Sequence, residues 1–112
     1  MKVNQRERGG VTILDLAGKV TIGEVELALR NAVRDALNGG ARAILLNLER
    51  VSAMDSSGVG ELVSAYTTVA NRGGTLKLAV LPPRIRDVML AAQALTVFEV
   101  FDDEASALAS FS

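Results

Sequence analysis

The stretch "ILLNLERVSAMDSSGVGELVSAY", Ile44 to Tyr66, passes from an apolar run through a turn carrying Asp55, Ser56, Ser57, Gly58 and Gly60 into apolar residues at helical spacing. Ile44 to Leu46 with Leu48 has the near-continuous hydrophobicity of a strand covered on both faces, as central strands of parallel sheets are. Val59, Leu62, Val63, Tyr66, Val69 and Ala70 then share one helical face, and Gly73 and Gly74 stop the helix. The turn between them, Met54 to Gly60, is expected to be exposed. In an open α/β sheet, loops at the carboxyl ends of strands are where ligands and partners usually meet.

The same alternation continues outward. "KVNQRER" and "VTILDLAG" flank Gly9 and Gly10, which tolerate the positive φ of a tight hairpin turn. The first of these strands is polar and suits a sheet edge; in the second, Val11, Ile13, Leu14 and Leu16 supply buried positions and Gly18 is expected to end the run. "TIGEVELALRNAVRDALNGG" spaces Val25, Ala28, Leu29, Ala32, Val33, Ala36 and Leu37 as a helix. Thr21 and Glu24 have capping-box spacing, and Gly39 or Gly40 can close the helix.

"TLKLAVL" reads as a strand, and Pro82 and Pro83 lead into a short helix through Ile85, Val88, Met89 and Ala92. "TVFEVF" reads as a last strand, with Val97, Phe98, Val100 and Phe101. Asp102, Asp103 and Glu104 place negative charge at the start of a final helix ending near Phe111, where it suits the helix dipole. The predicted order is ββαβαβαβα. This is one α/β domain over residues 1–112, with a mostly parallel mixed sheet, an antiparallel N-terminal hairpin strand and about four helices. Leu45, Leu62 and Val63 are expected in its core.

Composition narrows the function. A chain of 112 residues can bury one core without disulfides or metal. Twelve basic and thirteen acidic residues, in no long block, argue against a nucleic-acid footprint. With no Cys, thiol chemistry is absent; with no His, so are the commonest general base and metal ligand. No apolar run approaches the ~18 residues of a membrane span, and "MKVNQRERGG" lacks the apolar region of a secretory signal. A cytoplasmic, non-membrane protein is expected.

The chemistry of "DSSG" has several readings. Asp55, Ser56 or Ser57 can simply cap the following helix, since their oxygens can accept from its free amides. A serine hydrolase needs a base that a chain without His does not supply, and Lys2, Lys19 and Lys77 are poorly placed for a Ser-Lys variant. A phosphate-cradling loop would carry a lysine where "GVGEL" puts an acid. A receiver-type phospho-aspartate at Asp55 would need further acids for a divalent ion, and "LDLAGKVT" offers Asp15 alone, inside a strand. What remains is a serine hydroxyl at a helix start, open to a separate kinase.

At these residues the chain resembles the STAS-domain family, and specifically its free-standing anti-sigma factor antagonists. "MDSSGVGEL" after "ILLNLERVS", "LAGKVTIGE" before the first helix and "NRGGTLKLAVL" after the second carry the resemblance over nearly the whole chain. It implies that Ser56, the first serine after the aspartate, is phosphorylated by an anti-sigma factor that is itself a GHKL-type serine kinase. The unphosphorylated form would capture that kinase and free a sigma factor, and a serine phosphatase would reset the cycle. Thr21, Gly23, Met54, Asp55, Ser56, Ser57, Gly58 and Gly60 are the implied partner-binding residues. Many members carry an Asp in a "GELD"-like string where this chain reads "GKVT" with Thr21. No catalysis, cofactor or metal is implied. The alternative is a STAS scaffold or a sensor of a nucleotide or lipid, in which the serines only cap.

Overall fold

A two-residue turn sets the first edge of the sheet. Gly9 and Gly10 both have positive φ, +56° and +82°, and join β1 (Lys2–Arg8) to β2 (Val11–Val20) in antiparallel register, Arg8 opposite Val11 and Lys2 opposite Ala17. The computed structural model describes the backbone of residues 1–21 and 26–112, and the side chains of all of these but 26 and 27. The expected capping partner Glu24, the helix position Val25 and the partner-binding residue Gly23 lie outside the described residues.

After the hairpin come α1 (Glu26–Asn38), β3 (Ala43–Met54), α2 (Ser56–Asn71), β4 (Thr75–Ala79), α3 (Pro83–Ala91), β5 (Val100–Phe101) and α4 (Glu104–Ala109). The strands lie side by side in chain order. β2 through β5 pair parallel, so β1 is the antiparallel edge, as its polarity predicted.

Alternation along the strands separates two apolar layers. Leu14, Leu16, Ile44, Leu46, Leu48, Leu76 and Leu78 pack with buried residues of α1, α2 and α3, such as Leu29, Leu62 and Met89. Val11, Ile13, Leu45 and Ala79 pack on the other face against Ala107 of α4. Consecutive residues Ile44, Leu45 and Leu46 are thereby all fully buried, which is why the central strand is continuously apolar rather than alternating.

Several boundaries differ from the sequence reading. Gly18, at φ +100°, does not end β2: the register against β3 shifts between Gly18 and Lys19, as at a β-bulge, and the strand continues to Val20. β3 likewise runs on to Met54, leaving Asp55 alone between strand and helix. The turn expected at Met54 to Gly60 is therefore one residue long, with Met54, Gly58 and Val59 buried and Ser56, Ser57 and Gly60 exposed.

On α2 the buried stripe is Gly58, Val59, Leu62, Ala65 and Val69. Leu62 is in the core as predicted, but Val63 is half-buried at its margin and Ala70 is exposed, because the 58/62/65/69 spacing turns the inward face slightly away from them. "TVFEVF" forms a strand only at Val100–Phe101. Before it, the amide of Ala94 donates to the Met89 carbonyl at 2.9 Å at the end of α3, and residues 95–97 make a turn in which the Val97 amide donates to the Ala94 carbonyl at 3.0 Å. This seats Ala94 and Phe98 in the core while Val97 stays exposed, and Ala92, beyond the end of α3, is exposed as well.

Candidate functional site

The parallel pair β2 and β3 ends with Val20 beside Met54, and α2 begins one residue later. Asp55 makes the corner in an extended conformation (φ −114°, ψ −177°). Its amide reaches toward the Val20 carbonyl (3.4 Å), its own carbonyl accepts from the Val59 amide (3.1 Å), and its Oδ1 accepts from the Gly58 amide (2.9 Å). Asp55 is thus the N-cap, satisfying one of the amides that a helix start leaves without a carbonyl partner.

Gly58 explains how closely this corner is folded. A Cβ there would lie 2.9 Å from both the carbonyl carbon and the Cγ1 of Val20, and inside contact distance of the Val20 carbonyl oxygen. The first turn of α2 rests directly on the end of β2, which Thr21 follows. Gly60 is different: a Cβ there would meet nothing within 4 Å. In an exposed helix interior Gly disfavours the helix relative to Ala, and nothing within the described residues requires it.

Ser56 and Ser57 occupy the first two positions of α2, both exposed. The cap belongs to Asp55, so neither serine is needed for it. Of the predicted partner-binding residues, Asp55, Ser56, Ser57 and Gly60 reach the surface of one helix end, with half-buried Thr21 after the adjoining strand. Met54 is 8% exposed and belongs to the main core, and Gly58 is buried against Val20. These two are support rather than contact surface.

A second polar cluster, on the α4 side of the sheet, had no signal in the sequence. Arg6 of β1 bonds Asp15 of β2 through Nε (2.6 Å) and Nη2 (2.8 Å), and Glu104 of α4 through Nη2 (2.6 Å) and Nη1 (3.3 Å). Asn47 of β3 adds a bond from Nδ2 to Glu104 Oε1 at 3.2 Å. The guanidinium hydrogen bonds hold both carboxyls below their ordinary range, against the opposing effect of partial burial, and the two carboxylates raise Arg6. The cluster lines an open groove of about 940 Å³, but its central cation is already paired on both sides. It ties β1, β2, β3 and α4 together.

Among the described residues no group of three His, Cys, Asp or Glu side chains could hold a metal ion, and no helix is long and apolar enough to cross a membrane.

Fold and site together define an α/β domain that presents a capped helix start, two serines outward, at the carboxyl end of its central strand. The STAS domain family model matches residues 2–107, and the chain belongs to that family. It is similar to an anti-sigma F factor antagonist of Paenibacillus polymyxa, 22% identical over 96% of this chain and 92% of that one. Among solved structures it resembles an anti-sigma factor antagonist from Mycobacterium paratuberculosis (TM-score 0.85, 17% identity, 97% of this chain and 92% of that one). It also resembles the Bacillus cell fate determinant SpoIIAA in its phosphorylated form (TM-score 0.72, 24% identity, 98% and 99%). At these identities the structural likeness shows the fold.

Proposed function

We propose that the protein is an anti-sigma factor antagonist that works by partner switching and catalyses nothing itself. Its unphosphorylated form binds an anti-sigma factor that is a GHKL-type serine kinase and frees a sigma factor in the cytoplasm. Phosphorylation of Ser56 ends that binding, and a serine phosphatase restores it. The observation that carries this reading is the exposure of Ser56 at the first position of α2, with the cap supplied by its neighbour Asp55.

Physical reasons support a switch of this kind that spares the fold. A phosphoserine adds about −1.5 to −2 charges at neutral pH. At a helix N-terminus the remaining amides and the dipole favour that charge, which offsets repulsion from Asp55. In a closed interface the phosphate must be desolvated, and without cations from the partner it opposes docking. About 1.4 kcal/mol is enough for a tenfold loss of affinity. Incubation with the cognate kinase and ATP, followed by peptide mapping, tests the assignment. Phosphate on Ser56 supports it, and phosphate chiefly on Ser57 or Asp55 refutes it.

The other reading, a scaffold or small-ligand sensor, draws on the groove beside Arg6. Ser56→Ala would then leave every function of the protein unchanged.

A further inference from the structure

A groove of about 410 Å³ runs between α1 and α2. The two helices lie side by side in the same direction, bridged at two points: Arg30 Nη2 to Glu61 Oε1 at 3.0 Å, and Arg72 Nη2 to Asn38 Oδ1 at 3.3 Å. At helical rise the span from Arg30 to Asn38 is ~12 Å. Between the bridges α2 contributes Ser64, Ala65 and Thr68, all too short to fill the channel, over a floor that includes Leu29 and Val33.

The hydrogen-bonding capacity left in this groove is one-sided. Its carboxylate, Glu61, is taken by Arg30, and the side-chain carbonyl of Asn38 by Arg72. Arg34, exposed midway between the bridges, has no ion-pair or hydrogen-bond partner among the described residues, and neither do the hydroxyls of Ser64 and Thr68. Among the described residues that line the groove, three guanidinium groups face one carboxylate, a local excess of two positive charges on a chain whose net charge is −1. Donors outnumber acceptors, so the complementary occupant carries anionic acceptors.

We propose that the groove between α1 and α2 docks an acidic segment of a protein partner, with Arg34 and Arg72 reading its carboxylates and the segment lying along the channel between the helices. A free inorganic anion would use neither the length nor the floor of the groove. A nucleic acid would meet one short basic strip without an aromatic residue for its bases. Gly60 lies one turn before Ser64 with open space above it, which lets a partner main chain come close where the groove begins. The inference is independent of whether Ser56 is modified.

Fluorescence anisotropy of a dye-labelled peptide built on a Leu-Glu-Glu repeat, titrated with the full chain, tests it. Saturable binding is expected that weakens as salt rises. It should fall at least about tenfold in Arg34→Glu/Arg72→Glu and stay unchanged in Arg84→Glu, an exposed arginine of α3 outside the groove. If the double variant loses its native melting temperature, Arg34→Glu alone decides, since that side chain holds no other element in place. Three results would overturn the proposal: no saturable binding, equal affinity in the arginine variants, or tighter binding of tripolyphosphate or an oligoribonucleotide of equal charge.

Discussion

Val20 and Gly58 are in backbone contact: the end of β2 occupies the space that any side chain at position 58 would need. The two glycines of "DSSGVG" therefore differ in kind, one fitted to its own chain and the other not. Gly58→Ala must push a Cβ against a backbone carbonyl, and overpacking of this sort costs about 1–3 kcal/mol. Gly60→Ala meets nothing and relieves a helix-interior glycine, a gain of about 0.5–1 kcal/mol. Thermal denaturation of the two variants should show shifts of opposite sign.

Asp55 holds the start of α2 through its bond to the Gly58 amide. Asp55→Ala is expected to destabilise the domain by about 1 kcal/mol, the usual cost of a lost N-cap, while Asp55→Asn or Asp55→Ser recovers most of it. Urea titration followed by circular dichroism gives both numbers.

Acid should loosen the sheet from α4. Hydrogen bonds from Arg6 are the main cause of the lowered pKa of both Asp15 and Glu104. A carboxyl whose folded pKa is depressed contributes stability that is present above its unfolded value and lost as pH falls through the folded one. The loss should therefore set in below pH ~4, the unfolded carboxylate range, and deepen as pH falls further. Melting temperatures measured against pH should fall more steeply there in the native chain than in Arg6→Met, which removes the shared partner of both acids.

Lys77 fastens the C-terminus to the sheet. Its side chain is 8% exposed, and its Nζ donates to the Ser110 carbonyl (3.0 Å) and Oγ (2.9 Å) and lies 4.7 Å from the centroid of the Phe111 ring. Lys77→Met keeps the apolar stem and removes these bonds to half-buried Ser110 together with the ion pair to Glu99 Oε2 (3.1 Å), at about 0.5–1.5 kcal/mol for each hydrogen bond lost. Amides of α4 should exchange faster with deuterium in this variant, and those of α2 should not.

What was legible in the sequence follows the range of the interactions involved. The order of elements, the central strand and the burial of Leu45 and Leu62 come from local periodicity, and the structure has them as read. The extent of β2 and β3 does not: Gly18 is a stopping signal by itself, and only pairing with β3 carries the strand past it. "TVFEVF" has the composition of a strand, yet its Phe98 is drawn into an edge-to-face contact with Tyr66 at 5.5 Å. Arg6 and Glu104 are 98 residues apart, and the groove between α1 and α2 depends on how two helices align. Neither leaves a local trace. The serines were visible because the chemistry of a helix start is itself local, whereas the burial of Met54 and Gly58 beneath them was not.

Calorimetric titration of the cognate anti-sigma factor kinase with the unmodified, Ser56-phosphorylated, Ser56→Ala and Ser56→Asp chains tests the central claim most directly. The unmodified and Ala forms are predicted to bind alike. The phosphorylated and Asp forms should bind at least about tenfold more weakly, a difference of roughly 1.4 kcal/mol, at near-native melting temperatures. Equal affinity of all four forms would contradict a switch at Ser56.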